Sequence, residues 1–130
     1  MGGRERRVVA ILGLLTGAAL IVIGVRFFLV PASATKFFGI DPKAMVPALH
    51  YVIALRDIWL GALAIAFVAL GEWRALALWL GCAVAVCFAD AWIAATSSGR
   101  WVSVAFHIAS GIFCAALARA SWRAAPAARP

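Results

Sequence analysis

Four stretches of this chain are too long and too apolar to sit easily in a soluble domain of its size. They cover residues 8–30, 49–70, 75–95 and 101–118. A helix needs about 20 apolar residues to cross the hydrocarbon core of a bilayer, and each stretch is close to that length. Inside a bilayer the backbone N–H and C=O groups must be satisfied within the segment, which makes each run a helix. With 66% of the 130 residues hydrophobic, little chain remains for anything else. The expectation is an all-α fold, an integral membrane four-helix antiparallel bundle, forming one domain over residues 1–130 with a basic tail at 119–130.

The first run follows a basic start, "RERR", and precedes "ASA" at residues 32–34, a pairing that resembles a secretory signal. Its apolar part exceeds the ~7–15 residues of a signal core, so it reads as a retained span. The formal net charge is +7. Threaded through four crossings, Arg4, Arg6, Arg7, Arg74, Arg119, Arg123 and Arg129 fall on one side, and Lys36, Lys43 and Arg100 on the other. The richer side is expected to be cytoplasmic. This puts both termini inside and the protein in the plasma (inner) membrane. The basic ends suit anionic head groups of the lipid bilayer. No basic–aromatic motif points to a nucleic-acid partner.

The connections are short except for the first. "GEWR" at residues 71–74 and "TSSGRW" at 96–101 are tight turns between antiparallel neighbours. The first connection, "PASATKFFGIDPKAMVP", is expected to hold an interfacial segment, with Phe37 and Phe38 in the head-group zone and Lys36 in water. Asp41 before Pro42 reads as a cap followed by a first-turn proline, so a short helix is expected to start there and bend near Pro47. In the first span, Gly13, Gly17 and Gly24 share a face and permit close helix contact. That seam serves either a neighbour in the bundle or a homodimer.

Ionisable residues within or bordering the spans carry the functional reading. They are Arg26, His50, Arg56, Asp57, Asp90 and His107; an Arg or Asp at the centre of a span costs about 2.5–3.5 kcal/mol, so their depth is informative. Successive spans run in opposite directions at ~1.5 Å rise per residue. On that basis Arg56 and Asp57 fall about 10 Å below the outer start of the second span, Asp90 about 8 Å short of the outer end of the third, and His107 about 9 Å below the outer start of the fourth. Arg26 closes the first span. All four spans thus deliver polar groups to one outer layer. Plausible pairings are Arg26 with Asp90 or Asp57, and Arg56 with the other carboxylate. Asp57, Asp90 and His107 are the candidate proton-transfer groups. Arg26, Arg56, His50, Ser103 and Ser110 are candidates for holding a ligand. The stripe Trp79, Ala83, Val86, Asp90, Ala94 of the third span and the stripe Ser103, His107, Ser110, Gly111, Cys114 of the fourth place small residues beneath the charges. Cys82, Cys87 and Cys114 read as packing residues. No metal or cofactor is expected: no ligand set has metal-motif spacing on one helix, and the arginines repel a cation.

The segments "GVRFFLVP" (24–31), "FFG" (37–39), "RDIWLG" (56–61) and "WRAL" (73–76), with Asp90, "GR" (99–100) and His107, resemble the small four-helix integral membrane proteins of domain-of-unknown-function family four-two-six-seven. The resemblance runs from the first span to the fourth. It implies the four-helix membrane fold and no activity. From the residues themselves, three functions are expected to compete. The first is binding of, or acid–base chemistry on, a small lipophilic molecule. The second is proton-coupled transport by a dimer. The third is a non-catalytic membrane subunit whose ion pairs fix helix register.

Overall fold

The computed structural model describes residues 3–41, 43 and 46–126. Five helices follow in order: α1 Gly3–Leu29, α2 Pro31–Phe38, α3 Pro47–Ala69, α4 Trp73–Ser97 and α5 Trp101–Ala124. Of these, α1, α3, α4 and α5 are long and apolar enough to cross a membrane. Each outlasts its apolar run. Helix α1 takes in the "RERR" segment, and α5 continues to Ala124 through half of the expected basic tail.

The bundle is assembled from two tight pairs, α1 with α3 and α4 with α5, which touch each other more sparsely. The first pair is built on glycine. A Cβ at Gly13 would meet the Val68 side chain at 2.8 Å, one at Gly17 the Gly61 carbonyl at 2.7 Å, and one at Gly24 the Ala54 carbonyl at 2.6 Å. The contact on α3 moves backwards as α1 moves forwards, so the two helices are antiparallel. Bare backbone lies on backbone, as small-residue seams in membranes allow. Of the two uses open to the Gly13, Gly17, Gly24 seam, the fold makes the intrachain one. A homodimer through the same face would have to displace α3. In the second pair, Gly111 of α5 lies against Cys87 and Phe88 of α4.

Ahead of the short helix expected at Asp41–Pro42 the connection holds another, α2; Lys43 is in a 3₁₀ turn, and residues 44 and 45 of the expected helix lie outside the described residues. Helix α2 begins with proline at its first turn, where a missing N–H costs nothing. It ends at Gly39, whose φ of 100° lies in the left-handed region that closes helices. Both Gly39 N–H and Ile40 N–H donate to the Thr35 carbonyl. Pro42 lies outside the described residues. Asp41 Oδ1 accepts from Lys43 N–H at 3.0 Å, the bond expected of a cap there. Its N–H donates to Ser97 Oγ at 3.0 Å, tying the connection to α4. Phe38, expected among head groups, is buried in the protein.

The basic residues of α1, α4 and α5 meet at the end of the bundle that holds the termini. Arg74 lies 5.9 Å over the Trp122 ring, and Arg4 and Arg123 border one shallow depression. Arg129 lies outside the described residues.

Candidate functional site

Helix α2 lies across the other end of the bundle, and its attachment explains several polar residues. The last four carbonyls of a helix have no partner within it. In α2 the first of these, on Thr35, is taken by the Gly39 and Ile40 amides. The other three are taken by one face of α5. Arg100 Nη1 donates to the Lys36 carbonyl at 2.6 Å, Ser103 Oγ to that of Phe37 at 2.9 Å, and His107 Nε2 to that of Phe38 at 2.9 Å. The spacing 100, 103, 107 is one helical stripe. A carbonyl only accepts, so the His107 proton sits on Nε2. From the other pair, His50 Nε2 contacts Thr35 Oγ1 at 3.2 Å. Thr35 already spends its hydroxyl hydrogen on the Pro31 carbonyl, so His50 is the donor there too.

Beneath this lid, between the two helix pairs, lies a cavity of about 320 Å³. Ala34, Phe37 and Phe38 of α2 form its roof, and Thr16, Trp79 and Cys114 lie among its deeper walls. Of the residues singled out in the sequence, Arg26, Arg56, Asp57, Asp90, His107 and Ser110 all line it. His50 and Ser103 do not: they hold the lid from outside the cavity, and so act on a ligand only through α2.

The charges pair differently from the expectation. Arg56 takes both carboxylates, with Nε 2.8 Å from Asp57 Oδ1 and Nη2 3.9 Å from Asp90 Oδ2. It thereby bridges α3 to α4 where the two pairs meet. Arg26 pairs with neither aspartate. It donates to Ser33 Oγ at 3.3 Å and lies 5.5 Å over the Phe37 ring. The reason is position: at the end of α1 it is closest to the chain that turns back into α2. Asp57 is 3% exposed, with its Oδ1 held by Arg56. The Asp90 side chain is 13% exposed, and the 3.9 Å contact is its one polar partner among the described residues.

Sequence reasoning missed the lid's holders, Arg100 and Thr35, and the aromatic character of the cavity. Phe27, Phe37, Phe38, Trp79, Phe106 and Phe113 all line it. The Phe38 ring stands edge-on to His107 at 4.6 Å and to Phe27 at 6.2 Å. The stripe Arg100, Ser103, His107 was the available signal for the lid.

Four membrane-length apolar helices in one bundle define a multi-pass helical membrane protein. The family model described as Domain of unknown function (DUF4267) matches residues 17–120. The chain belongs to that family, as the resemblance implied. No curated protein and no solved structure matches it significantly.

Proposed function

We propose that the protein binds a small lipophilic molecule in the cavity beneath α2. The observation that carries this is the shape of the polarity. One continuous space of about 320 Å³ has aromatic and aliphatic walls, with Arg26, Asp90 and His107 on its lining. Ligand sites combine mostly apolar walls with a few convergent polar groups, and begin at about 300 Å³. Binding is favoured over acid–base catalysis because Asp57 and His107 are already committed, to Arg56 and to the lid. Asp90 is the lining carboxylate left for a ligand. The arginine-rich end of the bundle faces the cytoplasm of a plasma membrane on the positive-inside rule, so the lid faces outwards.

The test is photolabelling by benzophenone of protein in nanodiscs, mapped by peptide mass spectrometry. Label is expected on cavity residues such as Leu60 and Cys87, and is expected to disappear in Ala83→Phe, which fills the space. Label confined to lipid-facing positions such as Leu14, Trp59 and Ile112, which are exposed, would overturn the proposal.

A second reading draws on Arg56. Its bridge from α3 to α4 is a device for registering two loosely packed pairs, and on that reading the cavity is incidental. It predicts that the Ala83→Phe variant is as competent as the wild type in any cellular assay of the protein.

A further inference from the structure

We infer that the ligand is electrically neutral, about two aromatic rings in size, and carries one hydrogen-bond acceptor for Arg26 and one donor for Asp90. This rests on the cavity-binding reading and specifies its ligand. The size follows from the volume. An engineered apolar cavity of about 150 Å³ holds one benzene, and this one is about 320 Å³. The aromatic walls suit flat rings, which stack or meet edge-on with them.

The neutrality follows from the charges. The lining holds two arginines, Arg26 and Arg56, and two aspartates, Asp57 and Asp90. Arg56 and Asp57 satisfy each other at 2.8 Å. That leaves one cation, on α1, and one anion, on α4, under-used on the lining of the same cavity. Arg26 has a single long hydrogen bond, at 3.3 Å, to a neutral hydroxyl. Asp90 has a single contact at 3.9 Å with an already engaged guanidinium. In low dielectric Asp90 demands a partner, and Arg26, partly exposed at the end of α1, has donors to spare on the same lining. An anionic ligand would satisfy Arg26 and leave the cavity with a net negative charge. A lipophilic ammonium would do the reverse, and would meet two guanidinium groups. A neutral molecule with a carbonyl-type acceptor and a hydroxyl-type donor serves both residues and keeps the balance.

The experiment uses the full chain in nanodiscs and three photolabels of nearly one shape: the para-hydroxymethyl, para-carboxylate and para-trimethylammoniomethyl derivatives of benzophenone. Labelling of cavity peptides is normalised to labelling at lipid-facing Trp59 and Ile112. In the wild type the hydroxymethyl probe is expected to exceed both charged probes by about tenfold, equivalent to ~1.4 kcal/mol. Arg26→Gln is expected to move the preference towards the ammonium probe, and Asp90→Asn towards the carboxylate probe. A charged probe that labels the wild-type cavity best overturns the inference and leaves the cavity-binding reading intact. Absence of cavity labelling by all three probes overturns both. The wild-type ratios decide the matter even where a variant folds poorly.

Discussion

Replacing Gly17 or Gly61 by alanine tests the tightest contact in the fold. A Cβ on Gly17 would lie 2.7 Å from both the Gly61 carbonyl oxygen and Ile65 Cγ1. Real Cβ contacts rarely fall below about 3.4 Å, so α1 and α3 must separate by roughly 0.7 Å, or the helices must tilt. The obstacle is backbone, which cannot rotate away as a side chain does. Overpacking of this kind costs about 1–3 kcal/mol. Gly61→Ala presses on the Gly17 carbonyl from the other side, so the double variant is expected to cost less than the sum: once the helices are apart, the second methyl meets less resistance. Gly81 is the internal control. It is on α4, with nothing within 4 Å of its would-be Cβ. Gly81→Ala is expected to be neutral or to stabilise by about 0.5–1 kcal/mol, because glycine is costly inside a helix. The assay is reversible unfolding in mixed micelles with increasing SDS, followed by tryptophan fluorescence, with oligomeric state measured in parallel. Equal stability of Gly17→Ala, Gly61→Ala and Gly81→Ala would refute the α1–α3 packing. A change in oligomeric state without loss of stability would assign the seam to a second copy instead.

Arg56→Gln leaves two carboxylates without their shared cation. Breaking a buried pair costs about 3–5 kcal/mol, and the lower end applies because the Arg56 side chain is 36% exposed; adding Asp57→Asn is expected to restore part of the loss in the same unfolding assay. Ser103→Ala and His107→Ala each remove one lid hydrogen bond, expected to cost about 0.6 kcal/mol and at most ~1.7 within a membrane protein. Faster hydrogen exchange confined to residues 31–38 would report the release, and unchanged exchange there would count against the clamp. Gly39→Ala is expected to cost at least ~1–2 kcal/mol, since its φ of 100° suits glycine and a Cβ would meet Ala94 and Ser103 Cβ atoms at 2.7 Å; wild-type stability would show that the α2 terminus is held differently.

The site's height was legible because it depends on few quantities: span direction and rise per residue. Those put Arg26, Arg56, Asp57, Asp90 and His107 in one layer, and all five line one cavity. The face of α4 was legible for the same reason, since Trp79, Ala83, Val86 and Asp90 recur at helical spacing and all reach the cavity. The partner of each charge was not legible. Arg26 and Arg56 are chemically equivalent candidates for either aspartate, and the outcome depends on which helices are neighbours and which arginine is intercepted first by the returning chain. Helix α2 carried its own signals, proline at its start and Gly39 just past its end. They are outweighed by the adjacent Asp41–Pro42 pair, which reads as a helix start of its own and whose Asp41 does accept from Lys43 N–H. His50 and Ser103 illustrate the remaining gap. Depth placed them with the site, yet their bonds go to α2 rather than to the cavity.

The cavity, the ion pair and the lid have one common cause. Without a hydrophobic force between helices in lipid, association relies on close packing and hydrogen bonds. Helices α1 and α3 close up because Gly13, Gly17, Gly24 and Gly61 remove the side chains between them. No glycine seam of that kind joins α3 to α4 or α1 to α5 among the described residues, so the two pairs stand apart and enclose a space. At the far end the pairs close on one apolar core of Val9, Val68, Leu76, Leu80 and Leu117, while towards the lid they are joined by polar groups: Arg56 reaching Asp90 on one seam, and α2 bonded to His50 of one pair and to Arg100, Ser103 and His107 of the other. Polar bridges tolerate a gap that van der Waals packing cannot. They also fix its chemistry, because Arg56, Asp90 and His107 both hold the pairs together and line the space between them. The arginine and aspartate placed within an oily helix are therefore explained from both sides: they join α3 to α4, and they leave Asp90 short of a donor.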